Sequence, residues 1–373
     1  MIRICHVIKK MDRGGAETLI MNVFRAIDRT KVQFDFLVHS AQRGDYDDEI
    51  EALGGRIFRI GMPSPIKLPR YYLQCKKFFT AHPEISIVHG HLGSIAVFYL
   101  KAAEQAGKYT VAHSHSQNYP LSPAEIAFKI VSYPTRYIAD YFMGASFEAL
   151  RDRYGYKIAQ SSRSMVLPNG IDTKAFAFSN AARTRIREEL NISADSRVYV
   201  DVARLTLQKN HDFLLDVFAD LVERNPDSRL LLVGRGELAD DLKAKTSHLG
   251  VADKVFFLGV RSDVADVLSA SDFFVLTSFS EGLCIAAIEA QANGLSCFLS
   301  PGVPSFVDCG KDVHFIDISA GKEIWVDTLQ EAAKSLPDLS SRSCGVEYVK
   351  DHGFDISQTV SWLEQFYLKP KTS

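Results

Sequence analysis

The sequence has no C-x-x-C pair and no cysteine at metal-ligand spacing. Its six cysteines, Cys5, Cys75, Cys284, Cys297, Cys309 and Cys344, are scattered, several of them inside apolar runs. That pattern argues against a disulfide framework and points to reduced, mostly buried thiols in a cytosolic setting. No apolar run is long enough to span a bilayer, and the short opening Met1–Val7 leads into a glycine loop without a signal-peptide core. The expectation is a cytoplasmic protein, at most peripheral on the inner face of a membrane. Nucleic acid is disfavoured as a partner, because no dense basic stripe or nucleic-acid motif occurs. A nicotinamide cofactor is disfavoured too, because the only glycine pair opening a helix, Gly14-Gly15 in Gly-Gly-Ala-Glu, is not the dinucleotide fingerprint.

What is present suits two domains. A chain of 373 residues is long for one core, and 46% hydrophobic with 24% charged residues is a globular composition. The net charge of −2 hides an asymmetry. Residues 1–172 hold 22 Lys and Arg against 16 Asp and Glu, a net of +6; residues 173–373 hold 21 against 29, a net of −8. Oppositely charged halves imply different partners.

Short apolar runs alternate with helical patterns throughout. Strands are expected at 2–8, 32–39, 56–60, 85–89, 109–112 and 141–144, with a strand end at 166–167 and helices between them. After the turn Pro168-Asn169-Gly170-Ile171-Asp172 and a polar linker, strands are expected at 198–202, 229–233, 255–258 and 273–276. Strand and helix in alternation make a parallel sheet covered on both faces. The fold class is therefore α/β, with two doubly wound sheets on either side of residue 172 facing a cleft.

The most informative stretch is Ser280–Gly294. The run Phe273–Leu276 reads as a buried strand, and Gly282-Leu283-Cys284-Ile285-Ala286-Ala287-Ile288 as a helix stopped by Asn293-Gly294. Glu281 falls at the strand-to-helix corner, where open α/β sheets bind ligands, and its carboxylate can accept from sugar hydroxyls. A simple helix cap is the competing reading of Glu281. Glu289 is surrounded by apolar residues, and a buried carboxylate needs a partner. Arg204 and Lys209 stand just past the strand at 198–202, where two cations would stabilise charge on a leaving phosphate; singly, each reads equally well as a surface charge. Gly14 and Gly15 suit phosphate at a helix start, although a tight turn also explains them. His89, His91, His113 and His115 follow two strands. No acidic residue stands beside them at ligand spacing, which favours hydrogen-bonding roles over a metal site. Two stretches, Ile66–Phe79 and Phe128–Tyr137, combine basic and aromatic residues, as helices on anionic lipid do; ordinary packing on a sheet is the alternative.

Taken in order, Gly14-Gly15-Ala16-Glu17, Pro168-Asn169-Gly170-Ile171-Asp172, Arg204-Leu205 with Lys209-Asn210, and Glu281-Gly282-Leu283 with Glu289-Ala290 resemble the motifs of glycosyltransferase family 4 over nearly the whole chain. The closer likeness is to enzymes that build bacterial capsular or exopolysaccharide repeat units. The resemblance implies a GT-B fold of two Rossmann-like domains, 1–172 binding the acceptor and 173–355 the nucleotide sugar, with a closing helix in 356–373 returning to the first. It implies retained anomeric configuration, a nucleoside-diphosphate sugar (commonly uridine) as donor, a lipid-linked saccharide as acceptor, peripheral membrane contact through the basic first domain, and neither cofactor nor metal. By matching motif, Arg204 and Lys209 would hold the donor diphosphate, Glu281 the sugar hydroxyls and Glu289 the ribose. Gly14 and Gly15 would face phosphate, and His113 would lie against the sugar near the reacting carbon. Gly282, Leu283, Cys284 and Asn169 would line the substrate, and Gly234, Gly236, Val260 and Arg261 would surround the base. Three positions depart from the pattern: Ala203 stands where glycine is usual, Cys284 where a small residue or proline is, and Leu295-Ser296 where Leu-Pro is. A sugar-nucleotide 2-epimerase of the same architecture and a non-catalytic sugar-nucleotide binder are the alternatives.

Overall fold

The computed structural model describes residues 1–115, 123–168, 170–310, 312–334 and 338–370. The chain divides into two compact units: Met1–Gly170 with Ile356–Ser373, and Ile171–Asp355. In the first, β1 (Ile2–Ile8), β2 (Val32–Val38), β3 (Arg56–Arg59), β4 (Ile85–Gly90), β5 (Tyr109–Ser114), β6 (Tyr141–Gly144) and β7 (Ser164–Val166) are ordered β3-β2-β1-β4-β5-β6-β7. In the second, β8 (Arg197–Val202), β9 (Ser228–Val233), β10 (Val255–Gly259), β11 (Phe273–Leu276), β12 (Ser296–Leu299) and β13 (Val313–Phe315) are ordered β10-β9-β8-β11-β12-β13. Every pairing is parallel. Strand order reverses between β1 and β4 and again between β8 and β11, and such switch points open a crevice at the carboxyl ends of the strands.

The burial explains the sequence pattern. All seven residues of β2 and all four of β11 are buried, because helices cover both faces of each sheet. One apolar cluster on each face makes the core: in the first unit around Phe24, Phe34 and Phe36 and around Phe79, Tyr99 and Phe142, in the second around Val200, Phe274 and Ile288 and around Phe218, Phe273 and Trp325. The helix Ile356–Leu368 belongs to the first unit. Ile356, Val360, Leu363 and Tyr367 recur at helical spacing and join the cluster of Phe24 and Phe34.

Two strands and two helices lie where the alternation was not legible. β12 is four residues, two of them Ser296 and Cys297, and β13 has three. The helices Lys322–Lys334 and Gly345–Asp351 follow them. The helix after Glu281 begins at Ile285 and not at Gly282, because Cys284 has φ −80° and ψ 83°, outside the helical region.

A polar cluster is buried just before β11 in the second unit. The Asp272 carboxylate accepts from Arg183 at 2.6 Å, from Arg187 at 2.9 Å and from the Val198 amide at 2.8 Å. Arg183 and Arg342 donate further to the carbonyls of residues 268–271, at the C-terminal end of the helix Val264–Ala270. These cations satisfy the last carbonyls of that helix at the negative end of its dipole, immediately before β11.

Candidate active site

Lys209 and Glu281 are 72 residues apart in sequence and meet past the carboxyl ends of β8 and β11. Lys209 Nζ lies 2.5 Å from Glu281 Oε1, with side-chain exposures of 14% and 7%. Local structure fixes both. Lys209 ends the 3₁₀ turn Leu207–Lys209, and Asn210 follows in the left-handed region at φ 54°, a conformation asparagine tolerates better than most residues. Across from it, Gln208 donates to the Ser280 carbonyl at 2.6 Å, Phe279 N–H donates to the Gln208 carbonyl, and Thr277 Oγ1 donates to the Asn210 carbonyl. Ser278 Oγ also donates to Glu281 Oε1, at 2.6 Å. Both contacts fall on one carboxylate oxygen, so Oε2 has no partner among the described residues and two Lys209 N–H groups remain for a ligand. Arg204 is exposed and has no acidic partner among the described residues.

Glycines let these loops approach. Gly234 has φ +146°, and a Cβ there would lie 1.9 Å from the Ala203 carbonyl oxygen; at Gly236 it would lie 2.1 Å from that of Leu205. Both glycines therefore pack against the backbone of the Arg204 loop, a structural demand independent of any base. Gly302 does the same for the Glu281 loop, where a Cβ would lie 2.3 Å from the Ser278 carbonyl oxygen and Glu281 N–H donates to the Gly302 carbonyl. Gly302, Ser278, Thr277 and Gln208 belong to none of the sequence motifs. A Pro-Gly turn after β12 was the one available sign.

Gly282, Leu283 and Cys284 form the turn between Glu281 and the helix Ile285–Ala292; Cys284 is buried, and burial pushes its thiol up. Glu289 is half-buried on that helix, its carboxylate without a partner among the described residues, and loss of water raises its pKa to about 7. A carboxyl raised in the native state binds its proton more tightly there than when unfolded, so it costs stability as pH rises from the ordinary value toward 7. Glu289→Gln is therefore expected to gain on the order of 2 kcal/mol at pH 8 and nothing at pH 4.5, read by thermal melts at both pH values. Val260 is exposed, whereas Arg261 is held by Asp263 at 2.8 Å and Glu189 at 2.7 Å.

In the first unit, Gly14 caps the helix Gly15–Ala26 in extended backbone, and a Cβ on it would lie 2.4 Å from Glu17 Oε2, so that carboxylate folds over the helix start. His113 is buried at the end of β5, in a group larger than the sequence indicated. His6 faces His89 in register across β1 and β4, and period-two alternation puts His91 beside His89 and His115 beside His113. His6 was the member missed, since it falls inside an apolar strand. The bonds are His6 Nδ1 to His91 Nε2 at 3.0 Å, His91 Nδ1 to His115 Nε2 at 2.7 Å, His89 Nε2 to His113 Nδ1 at 3.2 Å, and His89 Nδ1 to Tyr367 OH at 2.7 Å. Burial lowers the pKa of all five, so the rings are neutral at pH 7. Two groupings, His6-His89-His91 and His91-His113-His115, hold nitrogens close enough together for an ion. Asn169 lies outside the described residues.

Comparison with known proteins decides the family. The model described as Glycosyltransferase Family 4 matches residues 13–175, and that described as Glycosyl transferases group 1 matches residues 182–314. Putative glycosyltransferase EpsF of Bacillus subtilis (strain 168) is 32% identical over 373 residues, covering 98% of this chain and 96% of that protein. The chain belongs to glycosyltransferase family 4. An Escherichia coli UDP-Gal:alpha-D-GlcNAc-diphosphoundecaprenol alpha-1,3-galactosyltransferase is 30% identical over 208 residues, covering 54% of this chain and 53% of that one. The crystal structure of Anabaena HepE in complex with UDP superposes with a TM-score of 0.79 at 18% identity, covering 98% of this chain and 99% of that one. That likeness shows the GT-B fold. The enzyme is thus a glycosyltransferase with Lys209 and Glu281 in contact at the switch point of its second sheet.

Proposed function

We propose that this transferase moves a sugar from a nucleoside-diphosphate sugar, a uridine one, to a lipid-linked saccharide with retention of configuration, in the assembly of a bacterial surface polysaccharide. The observation that carries the reading is the Lys209–Glu281 contact beside an exposed Arg204, all at the carboxyl ends of β8 and β11. Lys209 and Arg204 face the donor diphosphate, Glu281 Oε2 accepts from the donor sugar hydroxyls, and Glu289 accepts from the ribose. As the anomeric C–O bond stretches, negative charge builds on the departing phosphate and the two cations stabilise it. The acceptor hydroxyl attacks from the same face, forms the new C–O bond and gives its proton to the leaving phosphate oxygen, so no enzymic nucleophile takes part. The Escherichia coli UDP-Gal-dependent galactosyltransferase and the HepE complex with UDP-glucose support a uridine donor, and the former a diphosphoundecaprenol acceptor.

Among the described residues no helix is long and apolar enough to cross a membrane. A surface for reaching a lipid-linked acceptor is supplied instead by exposed apolar residues among cations: Ile66, Leu73 and Ile130 are 93%, 62% and 70% exposed, alongside exposed Lys67, Arg70, Lys76 and Lys77. Binding to vesicles containing anionic lipid is expected to fall steeply between low and physiological salt. Ile130→Glu is expected to weaken it with an unchanged melting temperature, and equal binding to neutral vesicles would remove the membrane from the scheme.

The decisive experiment is a thermal-shift screen of uridine and guanosine sugar nucleotides, followed by transfer to a diphosphoprenyl saccharide. A uridine sugar at a hundred times its Kd should stabilise the protein by about 2.7 kcal/mol. Product linkage read by NMR should show the donor's anomeric configuration, and turnover should survive chelation by EDTA. An epimerised sugar formed without acceptor, or an inverted product, overturns the proposal.

A further inference from the structure

Five of the chain's eleven histidines gather in the first unit, towards the carboxyl ends of β1, β4 and β5. Their ring nitrogens differ in what the protein leaves free. His89 is engaged at both, by Tyr367 OH on Nδ1 and by His113 on Nε2. His91 is engaged by His6 on Nε2, and its Nδ1 faces His115 Nε2 at 2.7 Å. His113 uses Nδ1 on His89, while its Nε2 is buried without a partner among the described residues. The His113 and His115 ring centroids are 4.0 Å apart. One nitrogen from each of His91, His113 and His115 falls within 4.8 Å of the other two. Burial holds all three rings neutral, the form that ligates a metal.

We propose that His91, His113 and His115 form a binding site for one divalent transition-metal ion of the zinc type, with a fourth position open to water. Zinc–imidazole bonds of about 2.0–2.1 Å at tetrahedral angles set two ligand nitrogens about 3.3 Å apart. The His91–His115 contact opens to that separation by rotation of the two rings, and both residues are half-buried, which leaves an ion a way in. The far nitrogens are already served. With the ion on Nδ1, His91 carries its proton on Nε2 and donates to His6 Nδ1. With the ion on Nε2, His113 carries its proton on Nδ1 and donates to His89 Nε2, and His89 donates from Nδ1 to Tyr367 OH. Ligating histidines ordinarily hold such a partner on their second nitrogen. The other grouping, His6-His89-His91, is the poorer donor set, since both nitrogens of His89 are engaged. Spacing within one segment gives no sign of the site. His91 comes from β4 and His113 and His115 from β5, and the two meet by continuing the register that pairs Gly90 with Ala112. The ion ties those two strand ends together and so stabilises the first unit. No step of the proposed transfer uses it, and the inference stands apart from that reaction.

The test is calorimetric titration of chelator-treated full-length protein with Zn²⁺, repeated with Co²⁺ as a coloured substitute and with Mg²⁺. The expected result is one Zn²⁺ per chain, a raised melting temperature, visible absorption from four-coordinate Co²⁺, and no response to Mg²⁺, which takes oxygen ligands. His89→Leu, which removes an outer partner, should weaken Zn²⁺ binding by about 10–100-fold, and His91→Ala and His115→Ala should each weaken it more. Circular dichroism checks that each variant is folded before titration. His314→Ala, which removes an exposed histidine beside Asp312, should bind as the unsubstituted protein does. Absence of Zn²⁺ binding by the unsubstituted protein overturns the inference. So does binding kept in full by both His91→Ala and His115→Ala, or binding lost in His314→Ala.

Discussion

Lys209→Ala is expected to lower kcat by about 10²–10³-fold, and Arg204→Ala by a similar factor, because each removes a fixed positive charge aimed at the departing diphosphate. The two substitutions differ in what they do to the fold. Arg204 is exposed and lacks an acidic partner among the described residues, so its loss should leave melting unchanged. Lys209 is tied to Glu281, whose side chain is 7% exposed, and removing the lysine leaves a mostly buried carboxylate with Ser278 as its remaining partner. Breaking one side of such a pair costs more than removing both sides. The double substitution Lys209→Met with Glu281→Leu should therefore melt closer to the unsubstituted protein than Lys209→Ala does, yet transfer no sugar. If the contact only braced two loops, the double variant would regain activity along with stability. The measurements are steady-state kinetics with a saturating donor and thermal melts on the same samples. Near-full turnover in Lys209→Ala and Arg204→Ala would end the assignment of the site.

The two sheets were legible in the sequence for a physical reason. Parallel strands covered on both faces must be apolar over most of their length, so Val32–Val38 and Phe273–Leu276 announce themselves. β12 and β13 are short and lie towards one edge of the second sheet, and they carry too little apolar sequence to be distinguished from a loop. Arg204, Lys209 and Glu281 could be singled out because charge just past an apolar strand is informative. That Lys209 touches Glu281 could not, since contact across 72 residues depends on strand order. His6 shows the same limit from the other side: it sits within a run of apolar residues, and only register with His89 makes it part of a group. The family resemblance puts Gly234 and Gly236 around the base, and their geometry adds a demand from the neighbouring backbone that spacing does not reveal.

Asp272→Ala is expected to destabilise the second unit by about 3–5 kcal/mol, the range for stripping the counter-charge from buried cations. Asp272 is 7% exposed and lies among Arg183, Arg187 and Arg342, all at most 9% exposed. Without its carboxylate, three guanidinium groups would face carbonyl oxygens alone, with one another's charge uncompensated. Arg342 reports the crowding already: burial pulls its pKa down, and Arg183 and Arg187 add to the effect against Asp272. Asp272→Asn keeps the shape and part of the hydrogen bonding, so its cost should be smaller but of the same sign. The protein offers a clean readout, because Trp325 belongs to the second unit and Trp362 to the first. In a Trp362→Phe background, urea unfolding followed by fluorescence reports the second unit, and the Asp272→Ala midpoint should fall at unchanged slope. The functional effect follows from position: Asp272 N–H and carboxylate both bond to Val198, which registers β11 against β8, and those two strands launch the loops of Glu281 and Lys209. Donor binding should therefore weaken in Asp272→Ala under conditions where the protein is still folded. A variant with unaltered melting would mean that the carbonyls of residues 268–271 neutralise the three arginines without help from the carboxylate.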